Sequence, residues 1–178
     1  KHLSDCKWFG IFDLDEFLYS PYTKDIKAIL QEQENIEQLQ INWVHFGSSG
    51  HIEQPENVIQ SFIYRGEYNS INNGPNGRYN SYKCIVNTNV KNIVFDVHSH
   101  RTNIKGLKTK NISFNMNDTL LINHYATQSL NFWKNIKMTR GDVNMWYDKM
   151  QWDRNLQLFN EMDNNEIKDE RLKNQNNM

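Results

Sequence analysis

The feature that most constrains the fold is a short apolar run that ends abruptly in acidic residues. Residues 8–12, Trp-Phe-Gly-Ile-Phe, are short, apolar and rich in aromatic side chains, which favours a buried strand. Asp13, Asp15 and Glu16 follow directly. Because side chains two residues apart in extended backbone point the same way, we expect Asp13 and Asp15 to project together from the mouth of the strand.

Carboxylates placed this way predict a metal site. Two neighbouring carboxylates raise each other's pKa unless a positive charge lies between them, and a divalent cation supplies that charge. Carboxylate oxygens suit Mn²⁺ or Mg²⁺, and either ion leaves room for phosphate oxygens. We therefore predict that Asp13 and Asp15 bind Mn²⁺ or Mg²⁺. The alternative is a solvated turn in which acidic residues happen to alternate.

Apolar periodicity along the rest of the chain predicts alternating strands and helices. One face of the second predicted strand carries Leu39, Ile41 and Trp43, and the last residues of the chain are polar and expected to fray. This alternation indicates an α/β or α+β domain without a clear second boundary. Strands are predicted at 36–46, 82–86, 93–97 and 119–122, and helices at 25–33, 55–63, 127–138 and 143–162, with a loop at 69–80.

Composition narrows the function classes. Hydrophobic residues make up 38% of the chain and aromatic residues 12%, which indicates a folded protein. The net charge of -1 gives no indication of a basic surface, so nucleic acid is not an expected partner. No stretch of the given sequence reaches the roughly 18 apolar residues of a membrane-spanning helix, and none has the pattern of a signal peptide. The compartment stays open: the full-length protein is expected to be cytoplasmic or membrane-associated.

A resemblance to a known family begins with the stretch WFGIFDLDEFLYSP. It resembles family 92 and the related family-2-like branch of the GT-A glycosyltransferases, in which a Trp-containing strand runs into Asp-x-Asp-Glu-Phe-Leu. The resemblance covers about residues 7 to 170. Further blocks follow in the order of that branch: Trp43 to His51, Lys83-x-Ile85-Val86, His98 or His100, Ile122-Asn123-His124-Tyr125 with Thr127 and Ser129, Lys137 with Arg140-Gly141, and Asp163-x-Asn165-x-x-x-Asp169.

The resemblance implies an α/β, GT-A-like fold with a mixed sheet flanked by helices. In GT-A enzymes the Asp-x-Asp motif follows a nucleotide-binding half, so we expect an N-terminally truncated domain. Residues 1–162 would form a partial catalytic domain and residues 163–178 a polar tail. The implied reaction is transfer of a sugar from a nucleotide diphosphate, of the UDP-sugar type, to a glycan or another hydroxyl acceptor. Family 92 inverts the anomeric centre.

Metal and donor roles also follow from the resemblance. Asp13 and Asp15 would bind the metal with His124 as a third ligand, and His98 is a further candidate. Asp13 and Lys83 would contact the diphosphate of the donor, with Lys83 acting as a point cation. A core histidine bonded to backbone is the alternative for His124, and a surface lysine on an edge strand is the alternative for Lys83.

Acceptor and base roles are the last implication. An inverting transfer requires a general base on the acceptor side, and Glu16 and Asp96 are the candidates. Exposed N–H groups and hydroxyls in the loop would suit a sugar, and its two aromatic rings would stack on a pyranose face or pack in the core. The predicted acceptor segment consists of Trp43, Phe46, Gly47, Ser48, Ser49, Gly50 and His51.

Two other function classes remain open. A haloacid-dehalogenase-like phosphatase would use Asp13 as its nucleophile, but those proteins continue with a Gly-Thr pair where Glu16 and Phe17 stand here. Asp142 and Asp148 imitate the downstream acidic motif of that family, in a stretch that is typical of a helix. The second alternative is a non-catalytic carbohydrate-binding module or degenerate transferase, which the aromatic content permits but which leaves the acidic strand end unexplained.

Overall fold

The computed structural model describes residues 6–33, 35–67, 82–90, 109–111, 119–139 and 154–176. The chain forms two compact units. The first comprises Lys1–Val44 and Tyr68–His124, and the second His45–Glu67 and Tyr125–Met178. Several predictions fall outside the described residues: the loop at 69–80, the strand at 93–97, the residues 140–153, and the candidates Asp96, His98 and His100.

Strands and short helices alternate along the chain, as the periodicity predicted. The strands are β1 (Trp8–Gly10), β2 (Glu16–Tyr19), β3 (Gln38–His45), β4 (Tyr64–Arg65), β5 (Tyr82–Asn87), β6 (Thr109–Asn111), β7 (Leu121–His124) and β8 (Ile167–Lys168). The helices are α1 (Ile26–Gln31), α2 (Val58–Ser61), α3 (Leu130–Phe132), α4 (Leu156–Met162) and α5 (Arg171–Asn176), and a π-helical turn (Trp133–Lys137) continues α3. Within the described residues, no helix is both long and apolar enough to cross a membrane.

The first unit contains a six-stranded sheet. Five of its strands follow the order β1-β5-β3-β7-β2, and the sixth, β6, pairs with β3 outside this order. Strand β5 pairs antiparallel with both β1 and β3, and β2 pairs antiparallel with β7. Strand β6 pairs parallel with the first residues of β3. The sheet is therefore mixed, and the α/β prediction is confirmed.

One face of β3 forms the core of this unit. Leu39, Ile41 and Trp43 are all buried in one cluster, so the predicted alternation is confirmed. Helix α1 packs its apolar residues against that cluster. Asp25 caps α1 by accepting a 3.1 Å hydrogen bond from the Ala28 N–H, which fixes where the helix begins.

The second unit departs from the predicted helix bounds. Helix α2 begins at Val58 rather than at Pro55, because the Asn57 side chain accepts the Gln60 N–H and caps the helix there. The predicted helix at 143–162 does not run through Asn155, whose side chain caps α4 instead. The helix predicted at 127–138 begins at Leu130, because the Ser129 hydroxyl accepts the Phe132 N–H and caps it there.

The last dozen residues, 167–178, were predicted to fray, and for residues 167–176 that prediction is wrong. They form β8 and α5, and β8 pairs antiparallel with β4. Asp169 accepts a 2.8 Å hydrogen bond from Arg65 Nε and also binds Arg171, and Arg65 and Asp169 are both buried. This buried ion pair and the burial of Leu172 attach the segment to the second unit.

Candidate functional site

The acidic residues after β1 form a turn rather than an extended strand end. Strand β1 ends at Gly10, and the Glu16 N–H donates to the Asp13 carbonyl over 3.1 Å. The Asp13 N–H in return donates to Glu16 Oε2 over 3.0 Å. Leu14 at the tip is fully exposed. The alternation argument for Asp13 and Asp15 was therefore wrong, and the two carboxylates meet different partners.

Lys83 is the partner of Asp13. It lies on β5 opposite Ile41, with its Nζ 3.0 Å from Asp13 Oδ2 and 3.3 Å from Glu16 Oε2. The Lys83 side chain is 6% exposed, that of Glu16 is 0% exposed and that of Asp13 is 58% exposed. The Nζ also lies 5.9 Å from the centre of the Trp43 ring. Lys83 is thus a buried cation between one buried and one exposed carboxylate, and the surface-lysine alternative is wrong.

Glu16 is a buried acid. Burial raises its pKa to about 7, against the opposing effects of the Asp13 N–H and the Lys83 ammonium. Its Oε1 is buried and has no hydrogen-bond partner among the described residues. With no exposed side-chain surface, Glu16 offers little access to an acceptor hydroxyl, although it was predicted as a candidate base.

Asp15 lies beside His124. Strand pairing places Glu16 opposite His124, which brings the adjoining Asp15 Oδ1 to 3.8 Å from His124 Nε2. The imidazole packs on Trp43 with ring centres 4.2 Å apart, and its Nδ1 is buried. The Asp15 and His124 side chains are 19% and 12% exposed. The pairing of β2 with β7 therefore brings one carboxylate and one imidazole together.

These two side chains fit a divalent cation as a pair. Ligand atoms about 2.1 Å from one ion lie roughly 3 to 4 Å apart, so the observed 3.8 Å separation suits two ligands of a shared ion. Asp13, the other predicted carboxylate ligand, pairs with Lys83 in this structure. Within the described part of the chain, no three His, Cys, Asp or Glu side chains converge as a metal site. The described residues thus offer two candidate ligands, and further positions on an ion would fall to other oxygens.

From Phe46 to His51, the predicted acceptor segment lies in the second unit and makes internal hydrogen bonds. The backbone N–H and the hydroxyl of Ser48 both donate to the Asp163 carboxylate. The Ser49 N–H donates to Asn165 Oδ1 over 2.8 Å, and the Ser49 hydroxyl accepts from the backbone N–H of Ile63. The N–H groups expected to face a sugar are thus already used. Asp163 and Asn165 were noted only as part of the C-terminal block, and their role as partners of this loop was missed.

Other members of the segment are packed. Phe46 is 1% exposed and its ring lies 4.8 Å from that of Tyr125, and Trp43, in the first unit, is 8% exposed. A Cβ on Gly47 would lie 2.4 Å from the Asn164 carbonyl oxygen. These contacts match the core alternative for both aromatic residues. The surface of the segment is supplied by Ser49, Gly50 and His51.

Comparison with known proteins agrees with the sequence resemblance. The model of glycosyltransferase family 92 matches residues 1–176, a range that includes Asp15, Lys83 and His124. No curated protein matches the chain. The match favours a transferase over the phosphatase alternative, and it covers almost the whole length. The chain therefore belongs to glycosyltransferase family 92.

Proposed function

We propose that this chain acts as a GT-A-type glycosyltransferase that moves a sugar from a nucleotide diphosphate, of the UDP-sugar type, to a glycan or another hydroxyl acceptor. The observation that carries this proposal is the arrangement of charged side chains around the turn that precedes β2. A buried cation, Lys83, contacts Asp13 of this turn. Asp15 of the same turn faces the imidazole of His124. Lysine suits the phosphate oxygens of a diphosphate, and the carboxylate and imidazole suit its divalent cation.

Asp15 and His124 are the residues that would hold Mn²⁺ or Mg²⁺. When bound, such an ion supplies Lewis-acid stabilisation of the charge on the departing diphosphate. The His124 ring packs against Trp43 with its Nδ1 buried, and this orientation turns its Nε2 towards Asp15. Lys83 contributes a fixed point charge for the diphosphate oxygens. These residues orient the donor and stabilise its leaving group.

The general base belongs to the acceptor side. Full burial of the Glu16 side chain and its contact with Lys83 support a role in positioning Lys83 rather than in accepting a proton from the acceptor. Asp96, outside the described residues, keeps its place as a candidate base for an inverting transfer. Within the predicted acceptor segment, the proposed contact narrows to Ser49, Gly50 and His51, which have surface to offer.

The test is a calorimetric titration of Mn²⁺ into the chain, followed by uridine diphosphate. We expect Mn²⁺ to bind and uridine diphosphate to bind only in its presence. Asp15→Asn removes one ligand charge and should lower the Mn²⁺ affinity by at least about tenfold. Glu32→Gln is the matched control, because it removes one exposed carboxylate charge from the end of α1 in the same unit.

Two outcomes would contradict the proposal. If Asp15→Asn binds Mn²⁺ as tightly as the unmodified chain does, Asp15 is not a ligand. If Glu32→Gln weakens binding as much as Asp15→Asn does, the effect reflects overall charge rather than the site. Mn²⁺ binding that depends on Asp15, without binding of uridine diphosphate, would retain the metal site and refute the donor assignment.

A further inference from the structure

Lys83 binds two carboxylates that differ in their freedom to move. The Glu16 side chain is completely buried, and its backbone is paired with His124 in the β2–β7 ladder, so its carboxylate cannot rotate into solvent. Asp13 lies in the turn that precedes β2, and its side chain is 58% exposed. Of the two ion pairs, only the one between Lys83 and Asp13 can open by rotation of a side chain into solvent.

The same geometry keeps Lys83 in place when Asp13 leaves. A buried ammonium requires a hydrogen-bond partner, and the Glu16 carboxyl at 3.3 Å stays in contact with it. The Trp43 ring adds a contact at 5.9 Å. Rotation of Asp13 would therefore uncover a fixed cation rather than release a mobile one. An uncovered cation of this kind suits a phosphate oxygen.

We propose that Lys83 is the internal counter-ion of Asp13 in the cation-free chain, and that it exchanges Asp13 for the donor diphosphate when a divalent cation recruits Asp13 to Asp15 and His124. This inference rests on the proposed function, because it assumes the cation site at Asp15. Its consequence is coupling: the cation must compete with Lys83 for Asp13, and a diphosphate relieves that competition. Each ligand then increases the affinity of the other by the same factor.

A double-mutant cycle tests the exchange. Mn²⁺ affinity is measured by calorimetry without nucleotide, at fixed pH and salt, for the unmodified chain, Lys83→Met, Asp13→Asn and the double variant. Lys83→Met should raise Mn²⁺ affinity about five- to tenfold when Asp13 is present. That gain should disappear in the Asp13→Asn background, because the competition is then already absent. Lys83→Arg keeps the charge and should give no gain.

A second measurement separates this exchange from a folding defect. With Mn²⁺ saturating, Lys83→Met should bind uridine diphosphate more weakly than the unmodified chain does, although it binds Mn²⁺ more tightly. A damaged site would lose affinity for both ligands. If Lys83→Met does not give the thermal unfolding transition of a folded chain, Lys83→Gln takes its place in the same cycle.

Three results would overturn the inference. An equal gain with and without Asp13 would show a through-space charge effect rather than competition. No gain at all, with Mn²⁺ binding that still depends on Asp15, would refute the exchange and leave the proposed function standing. An absence of Mn²⁺ binding in the unmodified chain and in all variants would refute the proposed cation site and the inference together.

Discussion

Burial of Glu16 makes the stability of the chain depend on pH in a specific way. The pKa of this carboxyl is raised from 4.5 to about 7 by burial, so the folded chain holds this proton at pH values where the unfolded chain has lost it. The resulting stabilisation is fully present below pH 4.5 and is lost as pH rises through 7. The two pKa values differ by an amount worth roughly 3 kcal/mol.

Glu16→Gln removes this titration and keeps the shape of the side chain. The amide oxygen can still accept the Asp13 N–H, and the variant is neutral at every pH. The free energy of unfolding is measured by urea denaturation of both chains at a series of pH values. The free energy of unfolding of the variant, relative to that of the unmodified chain, should rise by about 3 kcal/mol between pH 4.5 and pH 8. Glu32→Gln, which changes an exposed carboxyl of the same unit, should show no such trend.

The sign of the trend decides the matter. A difference between Glu16→Gln and the unmodified chain that stays constant with pH would show that Glu16 ionises near its ordinary pKa of 4.5. A difference that falls as pH rises would show that the attraction of Lys83 outweighs burial. Either result would refute the conclusion that burial dominates at Glu16.

Three further predictions concern the second unit. Both ring nitrogens of His45 are buried, and burial lowers its pKa to about 4. The stabilisation from neutral His45 is therefore present above pH 6.5 and is lost as pH falls through 4. His45→Asn should remove roughly 3 kcal/mol of this loss of unfolding free energy at acid pH, measured by urea denaturation, and an unchanged pH profile would contradict the prediction. Gly47→Ala should destabilise the chain by about 1–3 kcal/mol, because the new Cβ would lie 2.4 Å from a backbone oxygen. Gly50→Ala should cost only about 1 kcal/mol, because Gly50 has a φ of +76° but open space around it. Equal shifts of the two variants in thermal unfolding would refute the steric reason. Asp163→Ala leaves the backbone N–H of Ser48 without its acceptor and should cost about 1–3 kcal/mol, and faster amide exchange at Ser48 should accompany that loss.

Local signals predicted much of the first unit. The alternation of Leu39, Ile41 and Trp43 fixed the buried face of β3, because side chains in a strand alternate regardless of what surrounds it. Asp25 marked the start of α1, because a short polar side chain there accepts an N–H of the first turn. Both features depend on residues within a few positions of each other, and such features can be predicted from one sequence.

The turn at Asp13 shows where local reasoning fails. Alternation treats the backbone as extended, whereas the Glu16 side chain bonds back to the Asp13 N–H and closes a turn. Lys83 then attracts Asp13 from a strand 70 positions further along the chain. No periodic pattern marks that pairing, because it depends on how β5 is placed beside β3 in the sheet.

The prediction that the N–H groups of the acceptor segment face a sugar fails for the same reason, over a longer separation along the chain. Ser48 and Asp163 are 115 positions apart, and their bond depends on the fold of the whole second unit. Small polar residues in a loop predict available N–H groups only if nothing in the fold uses them first. Asp163 and Asn165 carried a signal only as part of a block in the family resemblance, which gives order along the chain but not contacts.

The buried charges of the first unit are costly for a sheet that is otherwise apolar. Lys83 is inserted among residues such as Ile85 and Val86, and its buried partner Glu16 has a pKa that already reflects the cost of burial. Apolar residues of similar volume often replace a buried ion pair without loss of stability. Stability alone therefore does not explain why this position of β5 carries a cation. The proposed donor, a nucleotide diphosphate with a bound metal ion, would account for a cation held beside the exposed Asp13 carboxylate.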